Sequence, residues 1–471
     1  MAFNSLIFLF IFLPITIVLY YLPIKFERAD KFRAILLLIL SLLFYSWGAI
    51  EFIPILVILM IVNYALVNLS LRQSARAADK KIIDIFLTII VVLNVLVLAW
   101  GKYVADVLPL GLSFYIFKLI SAGIDISQAR KKMDDAVELD EIKRELNFTP
   151  LNFSLYIAFF PELVSGPISR YKNFTPQINQ AKPSSDNLFA GLRRFFPALM
   201  VKVIVADGIF ALRSDLIAQL SSFGASEAWL SSIFYMLYIY LDFASYSGMA
   251  IGLGRMLGYE VPENFDNPYI STSITEFWRR WHMSLSSWFR DYVYIPLGGN
   301  RKGLPRQLIN ILIVWSLTGI WHGNYVNFLL WGLYHAALLV AEKLFALKLQ
   351  EKIPKFLNWL ITMFLVNIGW VLFAFPKTDE LFAQLGAMFG ANGASDGMAI
   401  YTLGANVVLI ILAVLAASPL FTKARAAWQN SKLGKSNTGI VFELVLMFLL
   451  LFVSLAFILD QSFASFLYFQ F

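Results

Sequence analysis

The chain has 471 residues, of which 59% are apolar, 16% aromatic and only 15% charged, with a formal net charge of +7. This composition excludes an ordinary soluble domain and indicates a protein that is solvated by lipid. The chain has no cysteine, which excludes disulfides, thiolate metal sites and a covalent acyl-cysteine step.

The first apolar run, Ser5 to Leu22, predicts a membrane span that is retained. It lacks the basic n-region and the small-residue cleavage site of a signal peptide, and it is longer than a typical h-region. Apolar runs of roughly 17 residues or more recur along the chain, so we predict an all-α polytopic membrane protein with about 11–12 transmembrane helices. The predicted spans are residues 5–22, 34–50, 52–70, 83–100, 105–122, 187–212, 227–257, 308–322, 326–346, 355–375, 400–421 and 440–459.

Two segments between these spans are predicted to be something else. Residues 151–163 are too short to cross a bilayer and contain Pro161 and Glu162, which favours a re-entrant element. Residues 128–147 are rich in charge and are predicted to form a cytoplasmic helical segment with a solvated surface.

The distribution of basic residues predicts the orientation. With the N-terminus outside, the outer loops hold little beyond Lys102, Arg213 and Lys377. Loops assigned to the cytoplasm carry nearly all remaining lysines and arginines, as the positive-inside rule requires. Residues 259–306 then form an interfacial region on the cytoplasmic side.

Histidine is scarce, with His282, His322 and His335 the only three, and it alone titrates unperturbed near neutral pH. His322 ends an apolar run that begins after Gln307. About 15 helical residues reach roughly 22 Å, short of a ~30 Å hydrocarbon core, so we expect the helix to stop at membrane depth, with Gly323 supplying the turn. An ionisable side chain there is a functional candidate, and the alternative is a core histidine satisfied by a neighbour.

The other two histidines differ in context. At helical spacing, His282 shares an apolar face with Trp278, while Arg279 and Arg280 point elsewhere. Because arginine is costly at a bilayer centre, this stretch is expected at the interface, where it suits an anionic donor or serves as a membrane anchor. His335 lies inside an apolar helix and is interpreted as structural.

One motif is rejected. Residues 393–397 match the G-x-S-x-G pattern of a nucleophile elbow, but they lie in a polar loop between two spans. The elbow requires a strand–turn–helix context, so we interpret the match as chance.

Several longer blocks resemble the membrane-bound O-acyltransferase family, in its bacterial branch of alginate and peptidoglycan O-acetyltransferase membrane subunits. The resemblance covers nearly the whole chain, and the FWRRWH block followed about forty residues later by WHG is its most specific part. The blocks that carry it are residues 8–22, 108–119, 160–172, 241–255, 263–303, 317–324 and 466–471.

The resemblance implies a single domain over residues 1–471, with a ring of helices around a tunnel and a catalytic histidine region at 307–346. It places His322 at the catalytic histidine and His282 at a second functional position. The donor and substrate side is then expected to involve Trp278, Arg279, Arg280, Trp321 and Asn324.

The same resemblance implies acetyl-CoA or another acyl thioester as donor, with no bound cofactor, no metal and no nucleic acid. It also implies a separate extracytoplasmic esterase-like (SGNH-type) acyltransferase as partner and a place in the bacterial cytoplasmic membrane. The expected function is to move an acetyl group from a cytosolic thioester across the membrane, for O-acetylation of a cell-wall or exported polysaccharide.

One departure leaves the polymer open. Alginate members usually read F-S-G-Y-S-D where this chain has residues 243–248 as F-A-S-Y-S-G, which weakens an assignment to alginate and keeps peptidoglycan open. Within the family, D-alanyl transfer to teichoic acid is the alternative, distinguished by a carrier-protein donor. A lipid-linked glycan transporter would show alternating access and no thioester turnover, and a scaffold for a biosynthetic complex would leave His322 dispensable.

Overall fold

The computed structural model describes residues 1–22, 29–77, 80–134, 137–218, 224–395 and 397–460. Within these ranges the regular structure is all α-helical with short π and 3₁₀ segments, and no strand occurs. The predicted all-α class is therefore confirmed.

The chain divides into two compact units. Within the described ranges, the first comprises Met1–Phe195 and Tyr246–Pro262, and the second comprises Phe196–Ser245 and residues 263–460. The helices that begin in the first unit are α1 Leu13–Tyr21, α2 Ala29–Ala49, α3 Ile53–Ala77, α4 Lys81–Tyr103, α5 Leu112–Lys132, α6 Leu139–Glu145, α7 Pro150–Ala158, α8 Phe160–Leu163, α9 Tyr171–Phe174 and α10 Ser185–Met200.

The helices that begin in the second unit are α11 Asp207–Ile217, α12 Ala225–Met256, α13 Ile274–Arg280, α14 Met283–Phe289, α15 Leu304–His322, α16 Val326–Ala341, α17 Leu347–Gln350, α18 Lys355–Ala374, α19 Thr378–Met388, α20 Met398–Ala405, α21 Val407–Ala416, α22 Pro419–Asn430 and α23 Asn437–Leu459. They include α15 and α16, which carry His322 and His335, and α13 and α14, which flank His282.

Six helical stretches in the described ranges are long and apolar enough to cross a membrane, or seven if α20 and α21, bent by 76°, form one span. They establish a multi-pass membrane protein. One of the six, residues 29–76, is 48 residues long, or about 72 Å of helix, which is enough for two crossings. The total of 11–12 spans, the ring with its tunnel and the single domain stay predictions.

Some predicted bounds are wrong in instructive ways. The span predicted at 105–122 begins only at Leu112, because Pro109 cannot donate a helical hydrogen bond and Gly111 adopts a left-handed φ of 71°. Helix α15 begins at Leu304, which gives it 19 residues, or about 28 Å, so it is longer than its apolar run predicted. It does end at His322 as expected, and it is not among the six stretches that qualify as spans.

The predicted re-entrant segment consists of two short helices, α7 and α8. Phe159, the residue between them, has non-helical torsion angles. Almost every side chain from Asn152 to Arg170 is buried. Irregular backbone at membrane depth requires burial in protein, and these residues meet that condition. The re-entrant path through a bilayer remains a prediction.

A buried ion pair holds this segment within the first unit. Lys118 Nζ on α5 lies 2.7 Å from Glu162 Oε2 on α8, and both side chains are almost completely buried. The other carboxylate oxygen, Oε1, accepts a hydrogen bond from the Ser169 hydroxyl. The ammonium also lies over the rings of Tyr156 and Phe174, at 4.8 and 5.5 Å from their centroids.

Candidate active site

The site in the second unit is built on a helix whose start is capped by a distant carboxylate. Glu342, just after α16, accepts hydrogen bonds from the backbone N–H groups of Ile274 and Thr275 at 2.6 and 2.8 Å, and from the Thr275 hydroxyl. A carboxylate at a helix N-terminus satisfies orphan donors and matches the helix dipole. Glu342 therefore fixes α13, and Trp278 with it, against α16.

Trp278 connects α13 to His335 on α16. Its indole Nε1–H donates to His335 Nδ1 at 3.2 Å, so the neutral His335 ring carries its proton on Nε2. The rings of Trp315 and Trp331 lie 5.3 and 5.2 Å from the same imidazole. His335 is thus held by aromatic rings, and its structural role stays a prediction.

The imidazole of His322 lies in a wall of aromatic rings. Its centroid is 4.5 Å from Trp321, 5.0 Å from Trp331 and 4.9 Å from Phe373, and the last two meet it edge to face. The side chain is buried, with 4% of its surface exposed. Asn327 fixes one side of this wall, since its amide donates to the carbonyls of Leu372 and Phe373 at the end of α18.

Two glycines let α15 and α16 pack backbone against backbone. A Cβ on Gly332 would lie 2.4 Å from the Trp315 carbonyl oxygen, and one on Gly319 would lie 2.6 Å from that of Phe328. No side chain fits at either position. The close approach places the rings that α16 contributes directly beside His322 at the end of α15.

His282 has a different setting from the one that its helical spacing predicted. The stretch is not one continuous helix, because α13 ends at Arg280, α14 begins at Met283, and His282 adopts a left-handed φ of 42°. The predicted shared helical face with Trp278 is therefore wrong. A non-glycine residue in this conformation carries strain, and such residues concentrate at functional sites.

Asn264 determines which nitrogen of His282 carries the proton. Its Oδ1 accepts from the Ser284 backbone N–H at 3.3 Å, which identifies that atom as the oxygen. The same oxygen lies 2.8 Å from His282 Nδ1, so Nδ1 is the donor and Nε2 carries the lone pair. His282 is oriented as a neutral base with Nε2 as the acceptor.

Burial lowers the pKa of His282, which lies outside the six span stretches, to about 3. Because the unfolded ring titrates near 6.5, the stabilisation from a neutral His282 is complete above about pH 6.5 and is lost as the pH falls toward 3. We expect the wild type to lose more thermal stability than His282→Asn between pH 7.5 and 4.5. Asparagine tolerates the left-handed conformation and its amide can replace Nδ1.

Thermal unfolding of both purified proteins in the same detergent, across that pH range, measures the difference. The carboxylates titrate in both proteins and cancel in the comparison. Parallel stability curves for the two proteins would contradict the assignment of a neutral, buried His282.

The two arginines of the predicted donor side are not equivalent. Arg280 pairs with Asp266 at 2.7 Å and with Glu276 at 3.1 Å, so carboxylates of the chain already balance its charge. Arg279 is exposed, and no ion pair to it occurs within the described ranges. Of the two, Arg279 is the guanidinium that an external anion can reach.

The remaining predicted residues flank His322. Trp321 is buried and contacts the His322 ring, whereas Asn324 is exposed one residue beyond Gly323. The structure therefore brings Trp278, Trp321 and His322 into one aromatic cluster. His282 is linked to the cluster through its neighbour Trp281, whose ring lies 4.6 Å from Trp370, itself 6.2 Å from Trp331.

Sequence reasoning missed three residues of this site. Asn264 orients His282 across 18 residues, Trp331 contacts both His322 and His335, and Glu342 caps α13. The spacing of seven between His335 and Glu342, two helical turns, was a signal that both face α13. Nothing in the sequence around Asn264 indicated that its side chain contacts His282.

The rejected G-x-S-x-G match has a structural role. The Ser395 hydroxyl donates to Glu227 Oε1 at 2.8 Å, and the same oxygen accepts from the Ala399 backbone N–H at the start of α20. Ser395 thus holds a loop against the start of α12. It precedes a helix, α20, and does not follow a strand as the serine of a nucleophile elbow does. Over the described ranges, no group of three or more metal-ligating side chains occurs.

Comparison of the sequence with known proteins identifies the family. Residues 42–379 match the sequence model described as MBOAT, membrane-bound O-acyltransferase family. A probable alginate O-acetylase of Pseudomonas aeruginosa is 34% identical, over 92% of this chain and 85% of its own length. A peptidoglycan O-acetyltransferase of Helicobacter pylori is 29% identical over 100% of this chain and 98% of its own, and a teichoic acid D-alanyltransferase of Bacillus subtilis is 33% identical over 53% and 62%.

Proposed function

The chain belongs to the membrane-bound O-acyltransferase family and is an acyltransferase, and from this premise we propose that it O-acetylates an exported or cell-wall polysaccharide. The full-length relatives are named for alginate and for peptidoglycan, whereas the D-alanyltransferase matches only about half of this chain. The breadth of the match favours acetyl transfer over D-alanyl transfer.

The observation that carries the proposal is the setting of His322. His322 ends α15 inside a wall of rings that excludes water and strengthens electrostatic interactions. It is the histidine best placed to exchange a proton with a substrate.

In the proposed reaction, His322 acts as general base. The acceptor hydroxyl oxygen attacks the thioester carbonyl carbon as His322 accepts the hydroxyl proton. The C–S bond then breaks, and the sulfur leaves as a thiol when His322 returns the proton. Burial keeps His282 neutral and Asn264 fixes its tautomer, so Nε2 is an acceptor to which the donor or the acceptor substrate can donate a hydrogen bond.

The donor side is proposed to lie at α13. Exposed Arg279 binds an anionic group of the thioester donor, which we propose to be acetyl-CoA, while Arg280 holds the segment in place through its two carboxylates. Trp321 lines the reacting centre, and exposed Asn324 lies at its edge beyond Gly323.

The cellular context extends this proposal. The basic loops favour an extracytoplasmic N-terminus in a bacterial cytoplasmic membrane, with donor entry from the cytosol. The acceptor is then a group on the outer side, and a separate SGNH-type acyltransferase completes delivery to the polymer. The family ring of helices supplies the tunnel between the two sides.

The donor is tested with purified protein in nanodiscs. We expect release or transfer of label from radiolabelled acetyl-CoA, and none from a D-alanyl carrier protein, because a small acetyl thioester needs only an anion site and a dry pocket. Turnover of the D-alanyl carrier alone would assign the chain to the other branch. Turnover of neither donor, also in the presence of candidate partner acyltransferases, would contradict the proposed function.

A further inference from the structure

Arg213 on α11 has a guanidinium that lies over two aromatic rings. Its Cζ lies 4.5 Å from the centroid of Tyr235 on α12 and 5.5 Å from that of Phe375, just after α18. Contact with aromatic rings leaves the N–H donors of a guanidinium, which lie at its edge in the plane of the group, able to bind a further partner.

No carboxylate of the described ranges occupies that edge. The structure gives Arg213 no ion pair there, and its Nε is buried without a hydrogen-bond partner. Two buried acidic residues on the same helices, Asp207 and Asp242, both bind Lys202, at 2.6 and 2.8 Å. The other two are Glu227, which accepts from Ser395 and Ala399, and exposed Asp215, and neither forms an ion pair with Arg213. Arginine within an apolar helical stretch is costly, so one that lacks a carboxylate indicates a ligand path.

The position of Arg213 connects it to the candidate active site. Phe375, against which it stacks, follows Phe373 by two residues, and the Phe373 ring lies 4.9 Å from His322. Two residues of chain span at most about 7 Å between Cα atoms. Arg213 therefore lies at the same end of α18 as the imidazole proposed to deprotonate the acceptor.

A purely structural role makes a different demand on the side chain. The cluster of Lys202, Asp207 and Asp242 has one formal negative charge, which a cation nearby offsets through space. A lysine would serve that purpose equally well. Binding of a planar oxyanion, in contrast, needs the paired donors of a guanidinium.

We propose that Arg213 binds an oxyanion, a carboxylate or a phosphate, on the acceptor that receives the acyl group at His322. This inference rests on the proposed function and adds to it a recognition site for the acceptor. Two parallel N–H···O bonds would fix the acceptor relative to His322, so that its hydroxyl meets the thioester in one orientation.

Binding is measured by calorimetry on the full chain in nanodiscs of neutral phosphatidylcholine. One arm compares a uronic-acid hexasaccharide with its carboxyl-reduced, neutral form, and the other compares dihexanoyl phosphatidic acid with dihexanoyl glycerol. The proteins are wild type, Arg213→Met, Arg213→Lys and the matched control Lys377→Met, which removes an exposed cation paired with Glu380 near the same end of α18.

We expect the wild type and Lys377→Met to bind one anionic probe at least about tenfold more tightly than its neutral form, in line with the strength of a charged hydrogen bond. Arg213→Met should lose this preference and Arg213→Lys should retain only part of it. The pair of probes that shows this preference identifies whether Arg213 binds a carboxylate or a phosphate.

Equal preference in the wild type and in Arg213→Lys, or no anionic preference in either arm, would overturn the proposal. The lysine variant keeps the charge, so it remains informative if the methionine variant fails to fold. Thioester turnover is measured separately on wild type and on His322→Ala, so failure of the acyltransferase function is distinguishable from failure of anion binding.

Discussion

Replacing His322 with alanine lowers acyl transfer by about 10²- to 10⁴-fold, the contribution expected of a general base. The side chain is buried among aromatic rings, so little else at this position can accept the hydroxyl proton. His322→Gln should be nearly as inactive, because it keeps polarity and approximate size but cannot exchange a proton near neutral pH. Radiolabelled acetyl transfer from acetyl-CoA is the measurement.

The control for this prediction is the third histidine. His335→Gln alters a hydrogen bond with Trp278 but removes no group proposed to touch substrate, so we expect a much smaller loss of transfer. All variants are compared at equal yield of folded, membrane-inserted protein. Full activity in His322→Ala would contradict the assignment of His322 as general base. Equal losses of transfer in the His322 and His335 variants would indicate that both side chains act only through packing.

Removing one partner of the buried Lys118–Glu162 pair is the substitution expected to destabilise the protein most. Lys118→Met leaves the Glu162 carboxylate in an apolar interior with only the Ser169 hydroxyl beside it, and such uncompensated charges cost about 3–5 kcal/mol. Replacing both partners, as in Lys118→Met with Glu162→Met, should restore most of the lost stability, because no charge is then buried. Thermal unfolding in detergent measures this double-mutant cycle.

The matched control is the exposed pair of Arg255 and Glu260 in the same unit, whose side chains are 44% and 81% exposed. Arg255→Met should cost about 1 kcal/mol or less, since solvent screens such pairs. Comparable destabilisation by Lys118→Met and Arg255→Met, or a double variant no more stable than Lys118→Met alone, would show that burial of the pair is not what matters.

The sequence alone determined the class of the protein. Runs of apolar residues at membrane length require backbone groups to be satisfied within helices, so an all-α polytopic membrane protein followed from composition and run length. The FWRRWH and WHG blocks indicated the family, and the family comparison confirmed it. The end of α15 at His322 was also predictable, since Gly323 follows at the limit of the apolar run.

Only the tertiary structure decided the chemistry of the histidines. Helical periodicity predicted His282 on a continuous helix, whereas a left-handed residue splits that helix and turns the ring to Asn264. The cap that Glu342 places on α13 and the stacking of Arg213 on Phe375 join residues distant in the chain. Hydrophobic periodicity reports which face of a helix is buried, whereas tautomers, caps and ion partners depend on which atoms packing brings within hydrogen-bond distance.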